Sequence, residues 1–147
     1  MADKLVPLIG STEAGPLGAV HLPRLWLKVS LATAGALHDE YDECGAGFDQ
    51  MVLDGLNVDR DAALAFLRNN RPSYLEFEQW VVDQNGGSIS AETVKASNDA
   101  ILGYNHDGDT IAGICEATGL ANDGNITDAA NLNALDDWQE LHNSLSG

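Results

Sequence analysis

Positive charge is what this chain has least of. Seven Lys and Arg stand against 23 Asp and Glu in 147 residues, a formal charge of −16. A field of that sign opposes nucleic acid and anionic membrane surfaces as partners, because both present negative charge. Cysteine is scarce as well. Cys44 and Cys115 form neither a CxxC nor another metal-type spacing, and a chain of this size has core enough to fold without a disulfide. Reduced thiols and a cytoplasmic location are the expectation. No stretch approaches the roughly 20 apolar residues of a membrane span. Acids, Pro and Gly interrupt MADKLVPLIGSTEAGPLGAV before it could supply a signal-peptide core. No segment alternates polar and apolar residues with period two, so nothing predicts a sheet. Also missing are G-x-S-x-G, a P-loop and a dinucleotide glycine pattern, which leaves nucleophilic and nucleotide chemistry without their usual carriers.

What the chain does have is helical periodicity. A hydrophobic content of 44% suits one domain with a real core. The spacing predicts an all-α, compact single-domain bundle of six or seven short helices. Residues 1–21 form an extended N-terminal arm packed on a helical domain of residues 22–147, since Pro7, Gly10, Gly15, Pro16 and Gly18 deny the arm a helical run. Leu22 to Leu37 is the expected central helix. Leu22, Leu25, Trp26, Val29 and Ala36 follow one face, and Leu27 and Leu31 fill a second. His38 to Cys44 reads as a solvated acidic connection. A short second helix carries Phe48, Met51, Val52 and Leu56. Asp59 caps a third, Ser73 with Glu76 forms a capping box for a fourth, and Ser90 caps a fifth. Asp107 or Asp109 caps a sixth that Gly119 closes, and Asn133 opens a last helix with Leu135, Trp138, Leu141 and Leu145 on one face. Asp outnumbers Glu and Lys occurs three times, a balance that also suits concentrated salt, where self-repulsion is screened.

Four stretches carry a resemblance: HLPRLWLK at 21–28, GFDQMVLD at 47–54, YNHD at 104–107 and NLNALDDW at 131–138. They resemble a family of small bacterial proteins known as a domain of unknown function, and the similarity runs from about Gly15 to Trp138. The resemblance implies a single-domain bacterial protein. It brings no activity, substrate or catalytic residue with it.

Two places could hold chemistry. Arg24 and Lys28 lie four apart on the central helix, where like charges repel by a few tenths of a kcal/mol and call for anions opposite them. The plain solution is the chain's own carboxylates. The sharper one is a pocket for a small carboxylate or phosphate ligand, with Trp26 or Tyr74 as an apolar wall and Tyr104 and Asn131 as further contacts. The second place is the C-terminal third, where His106, Asp107, Asp136, Asp137 and His142 combine imidazole with carboxylates, equipment for a divalent metal or for proton transfer. There His106 and Asp107 are the catalytic candidates. The plain alternative makes Asp107, Asp109, Asn133 and Asp136 helix caps and His106 a loop residue. Residues 105–116 and the Asp123-Gly124 turn imitate calcium loops, yet Thr110 stands where Gly is demanded, and Gly119, Ala121 and Ala130 cannot coordinate through side chains.

Two function classes follow. One is a binding or interaction module that recognises a small anion, or a cationic partner through its acidic face. The other is a small metal-assisted hydrolase in the C-terminal third. No cofactor is expected for the first, and a divalent metal is the cofactor the second would use.

Overall fold

The computed structural model describes residues 3–146, so residues 1 and 2 of the expected arm and residue 147 lie outside it. Among the described residues there are seven helices and no sheet, as the periodicity predicts: α1 Leu22–Thr33, α2 Phe48–Gly55, α3 Arg60–Asn70, α4 Tyr74–Asp83, α5 Ala91–Leu102, α6 Gly108–Thr118 and α7 Ala129–Ser146. None is long and apolar enough to cross a membrane.

Leu22, Leu25 and Val29 put α1 into the core, where the helix packs against α2, α3 and α4. The helix stops earlier than its apolar run suggests. Gly35 adopts φ 73°, a left-handed conformation glycine takes without penalty. Its N–H bonds Ala32 O and the Ala36 N–H bonds Leu31 O, a Schellman stop that ends the helix at Thr33. The released Ala36 to His38 segment pairs with the arm instead: Leu5 N–H donates to Ala36 O at 2.7 Å and His38 N–H to Leu5 O at 3.0 Å. Leu27 and Leu31 are half-buried, so α1 is covered on one broad side and not all round.

Local capping works as the residue types dictate. Asp59, Ser90 and Asp107 each accept from the N–H three residues on, and Ser73 and Glu76 form the reciprocal capping box. The last helix departs from expectation. Asp128 accepts from Asn131 N–H at 3.0 Å and starts α7 at Ala129, a turn before Asn133. The face that turns inward carries Ala129, Ala130, Leu132 and Asp137. Trp138 and Leu145, read from the sequence as packing residues, are instead 60% and 79% exposed. The reason is polar: Asp137 has a buried partner across the domain, and satisfying it sets the rotation of the helix. The expected solvated connection at His38 to Cys44 is corrected too. Tyr41 reaches into the domain, Cys44 is buried, and Arg60 holds the carbonyls of Cys44 and Gly45 at 2.5 and 2.9 Å.

Candidate functional site

Beside α1 lies a cleft of about 570 Å³, within the usual range for small-molecule sites. Its floor is α1 and the start of α2. One wall is the loop before α2, and the other is formed by the start of α6 and by α7. Backbone pairing closes that second wall: His106 N–H bonds Thr127 O and Ala129 N–H bonds Tyr104 O, which sets the 104–106 segment against the start of α7.

Five charged or titratable side chains deep in the cleft, His21, Arg24, Lys28, Asp49 and Asp137, are buried and already paired. Arg24, 6% exposed, forks onto Asp137 at 2.7 and 3.0 Å, and its Nη1 also donates to the carbonyls of Pro7 at 2.8 Å and Ile9 at 2.9 Å. Tyr41 donates its hydroxyl to Asp137 Oδ1 at 2.9 Å, and its ring centroid lies 5.9 Å from the Arg24 guanidinium carbon. Burial and then the Asp137 charge push the Tyr41 hydroxyl far above its ordinary range, so it stays a donor. Lys28, 8% exposed, donates to Asp49 Oδ2 at 2.5 Å. Gly45 N–H reaches the same oxygen, and His21 Nε2 reaches Asp49 Oδ1 at 2.6 Å. Burial alone would raise the Asp49 carboxyl, yet the bonds from His21 and Lys28 overcome it and hold the group at about 2. Burial pushes the His21 imidazole below its ordinary value. The neutral ring therefore carries its proton on Nε2, facing the carboxylate, and accepts from Ser11 Oγ at 2.9 Å through Nδ1.

Ser11, His21 and Asp49 thus form the hydrogen-bonded row of a nucleophilic triad, in a setting that gives it no substrate. Ser11 is 3% exposed and lies behind the histidine, away from the cleft. The row holds structure in place. His21 also has φ 71° at the junction of arm and α1, a left-handed conformation costing on the order of 1 kcal/mol for a residue with a Cβ.

The outer cleft has the opposite character. Glu40 and Asp42 on the loop, Asp107 capping α6 and Asp136 on α7 all line it, and none makes an ion pair with a described residue. Asp107 caps α6 through Thr110 N–H at 2.7 Å. Asp136 is half-buried, and burial followed by the charges of Glu140 and Asp137 raises its carboxyl above the ordinary carboxylate value. A row of edge-on rings runs along the cleft: His21 to Phe48 at 5.4 Å, Phe48 to Tyr104 at 5.8 Å and Tyr104 to His106 at 6.3 Å.

No family model, curated protein or solved structure matches this chain. The geometry carries the reading by itself.

It divides the residues that the sequence nominated. Arg24, Lys28, Tyr104, His106, Asp107, Asp136 and Asp137 all meet in the one cleft. Trp26 and Tyr74 do not. They pack edge-on at 5.9 Å beside a separate groove of about 350 Å³ and keep their polar atoms on Pro72 O and Glu78. The apolar wall proposed for an anion pocket is therefore missing from the cations' side of the helix, and both cations are neutralised by aspartates. Asn131 is exposed and bonded to Asp128, and His142 is exposed near Ser146, so neither reaches the cleft. Of the expected metal set only His142 lies outside the cleft, but the other four do not converge on one point. Among the described residues no three His, Cys, Asp or Glu stand close enough together to hold an ion. Asp137 gives its oxygens to Arg24 and Tyr41, and His106 Nε2 bonds Asn133 Oδ1 at 2.9 Å.

Sequence reasoning missed Ser11, His21, Tyr41 and Asp49. One signal was readable: Asp49 shares a helix face with Leu53, and both are buried. An acid on an apolar stripe calls for a buried cationic or hydrogen-bonding partner.

Proposed function

We propose that the protein is a soluble, cytoplasmic, non-enzymatic recognition module whose cleft takes an organic cation. The observation that carries this reading is the division of charge within one cavity. The two inner cations are each matched by an aspartate, while the four outer carboxylates have no matching cation. An anion entering would have to displace Asp137 or Asp49 from buried ion pairs and then pass the outer acids. A cation meets neither obstacle.

The shape of the charge narrows the ligand. The acids sit on three different segments and do not converge on a point, which suits charge spread along a molecule better than a single metal ion. Tyr104, with Phe48 edge-on behind it, offers ring surface to methylenes or to ammonium groups between those acids. A linear polyamine has that chemistry.

Calorimetric titration with spermidine is the test. Binding that weakens with added salt and with Asp136→Asn is the expected result, because both remove outer-cleft attraction. Binding of inorganic phosphate in place of spermidine would reverse the reading. Acidification should also weaken spermidine binding, since the raised Asp136 carboxyl must give up its proton to meet the ligand as a carboxylate.

A further inference from the structure

Two chains of buried hydrogen bonds cross from the cleft floor to the N-terminal arm. The first runs from Asp137 on α7 through the Arg24 guanidinium to the arm carbonyls of Pro7 and Ile9. The second runs from Asp49 on α2 through the His21 ring to the Ser11 hydroxyl. In each chain one side chain of the 21–24 segment touches cleft and arm at once. The arm is anchored unevenly: Ala19 and Val20 lie in the core and Glu78 and Asn98 bond residues 17, 18 and 20, whereas residues 3–11 are seated more lightly. Val6 and Pro7 are buried, but Leu5 and Leu8 are about half exposed and the Lys4–Asp39 pair lies in solvent. His21, where the arm joins α1, has a left-handed backbone, and both ends of its ring are engaged.

We propose that residues 3–11 of the arm are a strap whose seating is thermodynamically linked to the state of the cleft. With the strap seated, Arg24 and His21 hold Asp137 and Asp49 in their inward positions. Lifting the strap takes two acceptors from Arg24 Nη1 and the hydroxyl from His21 Nδ1, which loosens the two side chains that position Asp137 and Asp49, while Tyr41 still holds Asp137 and Lys28 and Gly45 still hold Asp49. Linkage makes the effect mutual: a cation that draws on Asp137 or Asp49 loosens the strap, and a loosened strap strengthens cation binding. The hydrogen-bond geometry carries the strap itself, and its response to a ligand rests on the cation reading above.

Amide hydrogen exchange on the full chain tests it. Asp137→Asn, altered only at the cleft end, should speed exchange at the Leu5 and His38 amides, which join arm to domain, by about fivefold or more, the usual floor for coupled sites. The α5 amides should stay unchanged. Ser11→Ala, altered only at the arm end, should speed exchange at Gly45 N–H, which reports on Asp49. Arm amides that hold their rate in the first variant, or that quicken only in step with α5, overturn the strap. If Asp137→Asn does not fold, Ser11→Ala decides alone, and an unmoved Gly45 amide overturns it. Spermidine added to the wild-type chain separates the two readings. Faster arm exchange supports the link, whereas spermidine bound with no arm response removes the link and leaves the cation site standing. Absence of spermidine binding defeats the cation site, and the two variants still decide the strap.

Discussion

The two sides of α1 solve opposite problems with one helix. On one side His21, Arg24 and Lys28 face α2 and α7, and every buried charge there is answered by a carboxylate, a carbonyl or a hydroxyl. On the other side Trp26 meets Tyr74 of α4, beside Pro23 and the arm residues Leu8 and Ile9, in a groove that is mostly apolar. Even the approach of the arm depends on that apolar side. Gly15 sits where a Cβ would come within 2.3 Å of the Tyr74 ring. The contrast teaches where function can reside. The apolar side gains stability from contact area, whereas the polar side spends charged groups on one another and leaves an uncompensated rim.

Removing one member of a buried pair should break this contrast most severely. Asp137→Leu leaves the Arg24 guanidinium buried with two carbonyls and no counter-charge, a change worth about 3 to 5 kcal/mol of stability. Denaturant unfolding should show a lower midpoint of that size. Adding Arg24→Met makes the side uniformly apolar and should recover part of the loss, because buried pairs replaced by apolar groups often break even. Recovery stays incomplete, since Pro7 O, Ile9 O and the Tyr41 hydroxyl lose their partner. A single variant as stable as the wild type would mean that Arg24 is solvated and the two sides are alike.

Acid should act next, with its main effect on the buried groups of the polar side. His21 has a folded pKa below its ordinary 6.5, so the unfolded chain binds the proton first and stability starts to fall as pH drops below that value. Asp49 is held at about 2 against an ordinary 3.8, and its contribution, about 2 kcal/mol, is complete above 3.8 and lost as pH falls toward 2. Asp136, raised, works in the opposite direction and offsets part of the loss. Unfolding free energy followed from pH 7 to pH 2 should therefore decline in two stages, and Asp49→Asn should remove the lower one. A flat profile would contradict the buried network.

Legibility from sequence follows the same divide. Ser73, Glu76, Ser90 and Asp59 announce helix starts because a cap acts on an N–H three residues away, well inside the reach of local pattern. The apolar stripes announce α2 to α5 for the same reason. The candidate site is built from pairs such as Arg24 with Asp137, 113 positions apart, and His21 with Asp49, 28 apart. No local rule joins them. The sequence nominated both cations and Asp137 by residue type, and it placed Arg24 and Lys28 opposite the chain's own acids as one reading. It could not choose which of 15 aspartates would answer them.

The smallest expected effect concerns the two tryptophans that the helical pattern treats alike. Trp26 is half-buried, donates to Pro72 O at 2.9 Å and packs on Tyr74. Trp138 satisfies the same periodic rule on α7 but is 60% exposed and donates to no described residue, because Asp137 beside it claims the inward face. Trp138→Gln should therefore change unfolding free energy by less than about 0.5 kcal/mol, the ordinary range for a surface position. Paired denaturant curves against Trp26→Gln make the comparison sharp, since the second variant loses ring packing and strands a carbonyl acceptor. Equal losses at the two positions would place Trp138 in the core, and α7 would then have to turn Asp137 away from Arg24.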